Sequence, residues 1–249
     1  MIDGLIPYSA YRDSGVPGLG DVPEHWHVKK VRDEAQVVNG YPFDANRFSV
    51  SDGYPLIRIR DLNKAQTATR YGGPFIDAAR IEPGDVLIGM DGEFNVGTWA
   101  GTEPALLNQR MCCVRGRLPV TTAFLRYVLP GPLKEINDVN WSTTVKHLSS
   151  GQVERIALAL PPPQEQAGIV RFLDHADRRI RRYIAAKKKL IALLNEQKQV
   201  IIHRAVTRGL DPSVRLKPSG VEWLGDAPEH LQVGRVKVFY AEVDHRSAT

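Results

Sequence analysis

From residue 164 to residue 208 the chain contains no proline and a single glycine, Gly168. Pro161, Pro162 and Pro163 precede the stretch and Gly209 follows it. Proline suits a helix entry and glycine the position just past a helix end, and Arg204 and Arg208 would face the negative end of the helix dipole. The stretch therefore reads as one helix of about 68 Å, at about 1.5 Å per residue. Ile169, Leu173, Ala176, Ile180, Tyr183, Lys187, Leu190, Leu194, Gln197 and Ile201 follow 4-3 spacing, a coiled-coil seam with two polar exceptions. Globular helices typically stop by about 20 residues, so one compact domain cannot cover such a stripe. The pairing residues Ile169, Leu173, Ile180, Leu190, Leu194 and Ile201 require a partner helix, in cis or in trans.

The second constraint is an internal repeat. Residues 14–31, SGVPGLGDVPEHWHVKKV, recur at 219–236 as SGVEWLGDAPEHLQVGRV, with 11 of 18 positions identical and a constant offset of 205. A period of 205 residues is too long for a solenoid and indicates a duplicated domain. The expected plan is a first conserved segment at 1–27, a domain at 28–160, the helix at 161–210, and at 211–249 the opening of a second, truncated repeat.

The domain at 28–160 reads as mixed α/β. Residues 56–60, LIRIR, alternate like a half-buried strand, placing Arg58 and Arg60 on one face and Ile57 and Ile59 on the other. Residues 85–90 form a short apolar run opened by Pro83-Gly84, a turn leading into a strand. Residues 109–114 suggest another strand, 121–129 a short helix, and 153–160 a strand running into the three prolines. Cys112 and Cys113 are adjacent, which disfavours an unstrained disulfide, so buried strand residues are expected.

Net charge is +5, and its distribution is uneven. Lys and Arg number 11 against 4 Asp and Glu in 164–208, whereas 33–160 has 13 against 14. The basic excess lies in the helix, where it could attract phosphates or form a solvated face. No apolar run approaches the roughly 20 residues of a membrane span, and residues 1–11 lack the pattern of a signal peptide, so a cytoplasmic protein is expected.

Six motifs occur in order: Leu19-Gly-Asp-Val-Pro-Glu-His-Trp26, Trp141-Ser-Thr-Thr-Val-Lys-His-Leu-Ser149, Leu160-Pro-Pro-Pro-Gln-Glu-Gln166, Ile169-Val-Arg-Phe-Leu-Asp174, Lys187-Lys-Lys-Leu-Ile-Ala-Leu-Leu-Asn-Glu196 and Val206-Thr-Arg-Gly-Leu-Asp211. With the duplicated box they resemble the specificity subunit of type I restriction-modification enzymes. The departures are Gly18 where the second copy has Trp223, and Leu231 where the first has Trp26. The resemblance implies an α/β target-recognition domain at 28–160 that reads one half of a bipartite site in double-stranded DNA. It implies a spacer helix that docks methyltransferase subunits and, through the complex, restriction subunits. A homodimer of half-subunits is a further expectation.

Catalysis would then belong to other chains. The sequence has no Asn/Asp-Pro-Pro-Tyr/Phe box for base methylation, no phosphate loop for ATP, and no paired acidic residue to make the Glu-Gln-Lys at 196–198 a nuclease set. No cofactor or metal site is expected. Asp91 and Glu93 form a carboxylate pair with no evident base or ligand partner. A fused nuclease or methyltransferase, a non-functional truncated half-subunit and a sequence-indifferent scaffold are the rival readings.

Base edges are read by Arg and Lys at guanine, by Asn and Gln at adenine, and by adaptable Ser and Thr. Such residues fall in four sets. One is Asn46, Arg47 and Ser51; the next is Arg58, Arg60, Asn63 and Lys64. The third is Asn95 with Asn108, Gln109 and Arg110, and the last is Asn140, Ser142, Thr143, Thr144 and Lys146. Arg60 and the segment 143–146 are the preferred candidates, and the glycines of 89–92 could let backbone approach a phosphate.

Overall fold

The computed structural model describes residues 6–139 and 146–235. It divides into two compact units, Met1–Ala176 and Asp177–Thr249. In chain order the first unit holds β1 (Tyr11–Asp13), β2 (Asp21–Pro23), β3 (His27–Lys30), α1 (Val31–Glu34), β4 (Ala35–Asn39), β5 (Phe48–Ser49), β6 (Tyr54–Ile57), β7 (Arg70–Tyr71), β8 (Arg80–Ile81) and β9 (Val86–Gly89). There follow β10 (Val96–Thr98), β11 (Ala105–Leu107), β12 (Met111–Gly116), α2 (Pro119–Val128), α3 (Pro130–Val139), α4 (Ser150–Arg155) and β13 (Ala157–Leu160). Helix α5 (Pro163–Arg208) crosses into the second unit, which ends in β14 (Leu216–Pro218) and β15 (Asp226–Pro228). The expected mixed α/β domain followed by one long helix is what forms.

Two sheets build the core. One has the order β10-β9-β12-β4 and is antiparallel throughout; the other has the order β5-β7-β6-β11-β8, with β6 and β11 parallel. Period-two alternation on β9 and β12 fills two layers at once. Val86, Ile88, Cys112 and Val114 pack with Phe124, Leu125, Leu129 and Leu133 of the α2–α3 region. The residues between them, Leu87, Met111 and Cys113, pack with Ile57, Ile81, Trp99 and Leu107 from the second sheet's side. Beyond that sheet, Leu56 and Leu106 meet Phe43, Tyr71 and Ala79. The four-stranded sheet is thus covered on one face by helices and on the other by a sheet. Both cysteines are buried strand residues, and burial pushes the Cys112 thiol up to about 12, so neither is poised as a nucleophile. Asp85 accepts bonds from Arg115 Nε (2.9 Å) and from the Glu82 amide (2.7 Å), pinning the start of β9 to β12.

Two local expectations fail for identifiable reasons. The strand expected at 56–60 stops at Ile57. The buried Asp61 carboxylate accepts the Arg58 amide at 3.2 Å and the Thr67 hydroxyl at 3.1 Å, folding Ile59–Asp61 into a 3₁₀ turn. Arg58 and Arg60 therefore do not share a strand face, and Leu56 and Ile57 are both fully buried because β6 is covered on both sides. The strand expected at 153–160 is half helix. Ser149 caps α4 by accepting the Gln152 amide, Gln152 returns a bond to the Ser149 amide, and extended structure begins only at Ala157.

The repeat is a structural duplication. Hairpin β1–β2 pairs Tyr11 with Pro23, and β14–β15 pairs Leu216 with Pro228, each 205 residues on. Ser14 N donates to Gly20 O, and Ser219 N to Gly225 O. The side-chain brace recurs as well: Arg12 donates to the Glu24 carbonyl and Lys217 to the Glu229 carbonyl. In the first unit the segment around this hairpin is fastened to the first turn of α5. Glu165 accepts from Trp26 Nε1 (3.0 Å), His25 Nε2 (2.8 Å) and the Tyr8 hydroxyl. Burial opposes ionisation of Glu165, but these three bonds outweigh it and hold the carboxyl below its ordinary value of 4.5. A lowered carboxyl stabilises the fold at pH above its unfolded value and loses that contribution as the pH falls below it. Acid should therefore loosen this joint below about pH 4.5. Glu165→Gln should cost about 1–2 kcal/mol at neutral pH and flatten the acid dependence, with Trp26 fluorescence against pH as the measurement. An unchanged acid profile in the variant would assign the loosening to another group.

Candidate nucleic-acid interface

Three segments far apart in sequence meet around Asp91. The loop after β9 carries Asp91 and Asn95, the turn between β11 and β12 carries Asn108, Gln109 and Arg110, and the segment before α4 carries Lys146 and His147. Backbone bonds join them: Met90 N to Arg110 O (2.9 Å), Leu148 N to Met90 O (2.8 Å) and Gly92 N to Lys146 O (3.3 Å). The Asp91 carboxylate accepts from His147 Nδ1 at 2.8 Å and, with its other oxygen, from Arg110 Nη1. Lys146 Nζ donates to Asn137 Oδ1 at 2.6 Å, and Asn137 Nδ2 donates to Gly92 O. Burial again opposes ionisation of Asp91, and the bonds from His147 and Arg110 lower its pKa overall. The loop itself is tightly wound, with Gly92 at φ +76° and the buried Phe94 at +48°.

The candidates are placed as follows. Asn95, Gln109 and Arg110 are exposed on this cluster, with Lys146 beside them. Asn63 and Lys64 follow the 3₁₀ turn. Asn63 adopts φ +62° and is spent on structure, its Oδ1 accepting the Thr98 amide at 3.1 Å. Arg58 is half-buried, and Arg60 is exposed, donating from Nη2 to Thr69 Oγ1 at 2.9 Å. Arg47 lies apart, 3.9 Å from Asp44. Thr143 and Thr144, with Asn140 and Ser142, fall outside the described residues. The carboxylate reading of Asp91 and Glu93 is replaced by a different one: the partners of Asp91 are an arginine and a histidine. His147 lies in the 141–149 motif but has no role legible in the sequence, and Asn137 carries no signal, because their roles arise only when the three segments meet. Among the described residues, no group of three or more His, Cys, Asp or Glu is placed to hold a metal ion. No helix there is long and apolar enough to cross a membrane.

Most of the α5 seam is uncovered. Ile169 packs against the first unit's core. Leu190 is 47% exposed, Leu194 52% and Ile201 59%, with Ile180 and Tyr183 similarly open.

The two-sheet domain followed by a long helix is a fold shared with solved structures. The crystal structure of the HsdS subunit from Thermoanaerobacter tengcongensis matches with a TM-score of 0.55 at 19% identity, covering 79% of this chain and 48% of that one. A chain from a structure of the type I R-M system matches with a TM-score of 0.62, also at 19% identity, over 78% and 48% of the two chains. Residues 23–193 match the family model for the type I restriction modification DNA specificity domain, and this chain belongs to that family. It is 36% identical over 197 residues to the type I restriction enzyme EcoBI specificity subunit of Escherichia coli, covering 78% of this chain. It is 23% identical over 239 residues to the putative type I restriction enzyme MjaX specificity subunit of Methanocaldococcus jannaschii. This chain spans 41% and 55% of those two relatives.

Proposed function

We propose that this chain reads DNA sequence for a type I restriction-modification assembly. Its domain at 28–160 would contact one half of a bipartite site in double-stranded DNA. The observation that carries this reading is the loop cluster at Asp91, where a sheet core presents exposed Asn, Gln and Arg side chains of the kinds that discriminate base edges. Family membership supports it. Modification and cleavage are assigned to separate methyltransferase and restriction subunits, so the chain itself is non-catalytic, working in the cytoplasm where cellular DNA is accessible. The open part of the α5 seam, from Ile180 to Ile201, is assigned to pairing with a second α5, antiparallel, in a dimer of this chain, with Leu173 continuing the stripe.

The test is a footprint of the chain on DNA, with a sequence-indifferent pattern supporting the scaffold reading instead. Arg60→Ala is expected to relax preference at one base position and cost about 1–3 kcal/mol of binding, if its guanidinium leaves Thr69 for a guanine. A uniform loss over all sequences would make Arg60 a phosphate contact.

A further inference from the structure

The proposed DNA-reading role leaves open what gives the loop cluster its selectivity, and its charge balance bears on that. A phosphate anchor needs an uncompensated cation, because affinity for the backbone comes from counterion release. Arg110 is not uncompensated. Its Nη1 is bonded to Asp91, so the Arg110–Asp91 pair carries no net charge. The same pairing suits base readout. Arginine is long and rotamer-rich, and a bidentate contact to guanine needs its planar fork held in one orientation. Asp91 is well placed to hold it. Its side chain is 19% exposed against 64% for Arg110, and His147 fixes its other oxygen at 2.8 Å. The turn is held independently, with Arg110 O accepting the Met90 amide and Arg110 N donating to Asn108 Oδ1 at 3.4 Å. Among the described residues the Nε and Nη2 edge of Arg110 has no partner, which leaves two parallel donors available on an exposed side chain.

We infer that Arg110 is a guanine-reading residue and that Asp91, buttressed by His147, is the positioning residue that orients it. The inference rests on the DNA-reading function proposed above. Asp91 lowers affinity for DNA in general, since it cancels a positive charge, and raises selectivity, since it fixes the fork. Removing it should move the two quantities in opposite directions, which loss of a merely structural contact would not do.

The experiment selects bound duplexes from a randomised DNA pool with the full chain at low ionic strength and sequences them. The wild type should enrich a motif containing a guanine that Arg110→Ala makes about tenfold less preferred. Asp91→Ala should lose preference at that same position by a similar factor, keep the other positions, and bind the unselected pool more tightly with a salt slope steeper by about 0.9. Asp91→Asn keeps an acceptor for Arg110 and should restore most of the preference. Arg110→Lys keeps the charge without the fork, so it should lose the guanine and retain the wild-type salt slope. Should Asp91→Ala fail to fold, His147→Ala frees the other oxygen of Asp91 and should lower preference at the same guanine alone. The inference is overturned if Asp91→Ala retains the guanine, if it weakens all positions together, or if Arg110→Lys retains the preference. A wild type that enriches no motif would instead remove the DNA-reading proposal, and this inference with it.

Discussion

Leu190→Asp is expected to abolish the proposed pairing of α5 and leave a monomer without unfolding the first unit. Leu190 lies in a stripe with Ile180, Tyr183, Leu194 and Ile201 that is about half exposed along α5, and a helix alone cannot bury it. In an antiparallel pair of such helices each seam position is occupied twice, so a single substitution places two carboxylates in an apolar contact. Burying an unpaired charge there costs several kcal/mol, and each 1.4 kcal/mol is about tenfold in the dissociation constant. Association should therefore weaken by at least about a hundredfold. Sedimentation at tens of micromolar, of order 10⁻⁵ M, should show dimers of the wild type and monomers of Leu190→Asp and Leu194→Asp. A monomeric wild type at that concentration would remove the pairing proposal and leave the seam to another subunit. The polar interruptions Lys187 and Gln197 set a limit on how tight the pair becomes.

The second large effect concerns Gly40. At the end of β4 the chain crosses the turn that carries Gln109 and Arg110, with Gly40 N bonded to Met111 O at 3.0 Å and Tyr41 N to Leu107 O at 2.8 Å. A Cβ on residue 40 would stand 1.9 Å from the Asn108 carbonyl oxygen and 2.3 Å from its carbon. The obstacle is backbone, so no side-chain rotation relieves it. Gly40→Ala should cost about 3 kcal/mol, at the upper end of ordinary overpacking, and lower the melting temperature by roughly 6–12 °C. It should also displace Arg110 from Asp91. A melting temperature within a degree of wild type would show that the turn moves freely.

How much of this was legible depended on the range of the interactions involved. Helix α5 was readable because its determinants are local: prolines at its entry, Gly209 at φ +76° past its end, and a heptad between them. Strands β9 and β12 were readable because apolar runs suit a sheet covered on both sides. The misreading of residues 56–60 has one cause. Alternation pointed to a strand, but the side chain of Asp61 competes for the backbone, and a buried carboxylate that caps a turn has no periodic signature. The candidate site was legible in kind and not in arrangement. The residue types at 95, 109, 110 and 146 fit base readout, yet nothing local joins 91 to 110 and 147. Their meeting is set by the pairing of β9 with β12 and by the return of the chain into α4.

The duplicated hairpin has a consequence for inheritance. Because β1–β2 and β14–β15 share register, turn bonds and even the brace from Arg12 or Lys217, a crossover between the two gene segments that encode them splices one hairpin onto the other. The recombinant still folds a complete hairpin at the junction, and what it gains or loses is a whole 205-residue cassette. The matched register at the two places is what would let such an exchange keep the hairpin's pairing and turn bonds intact.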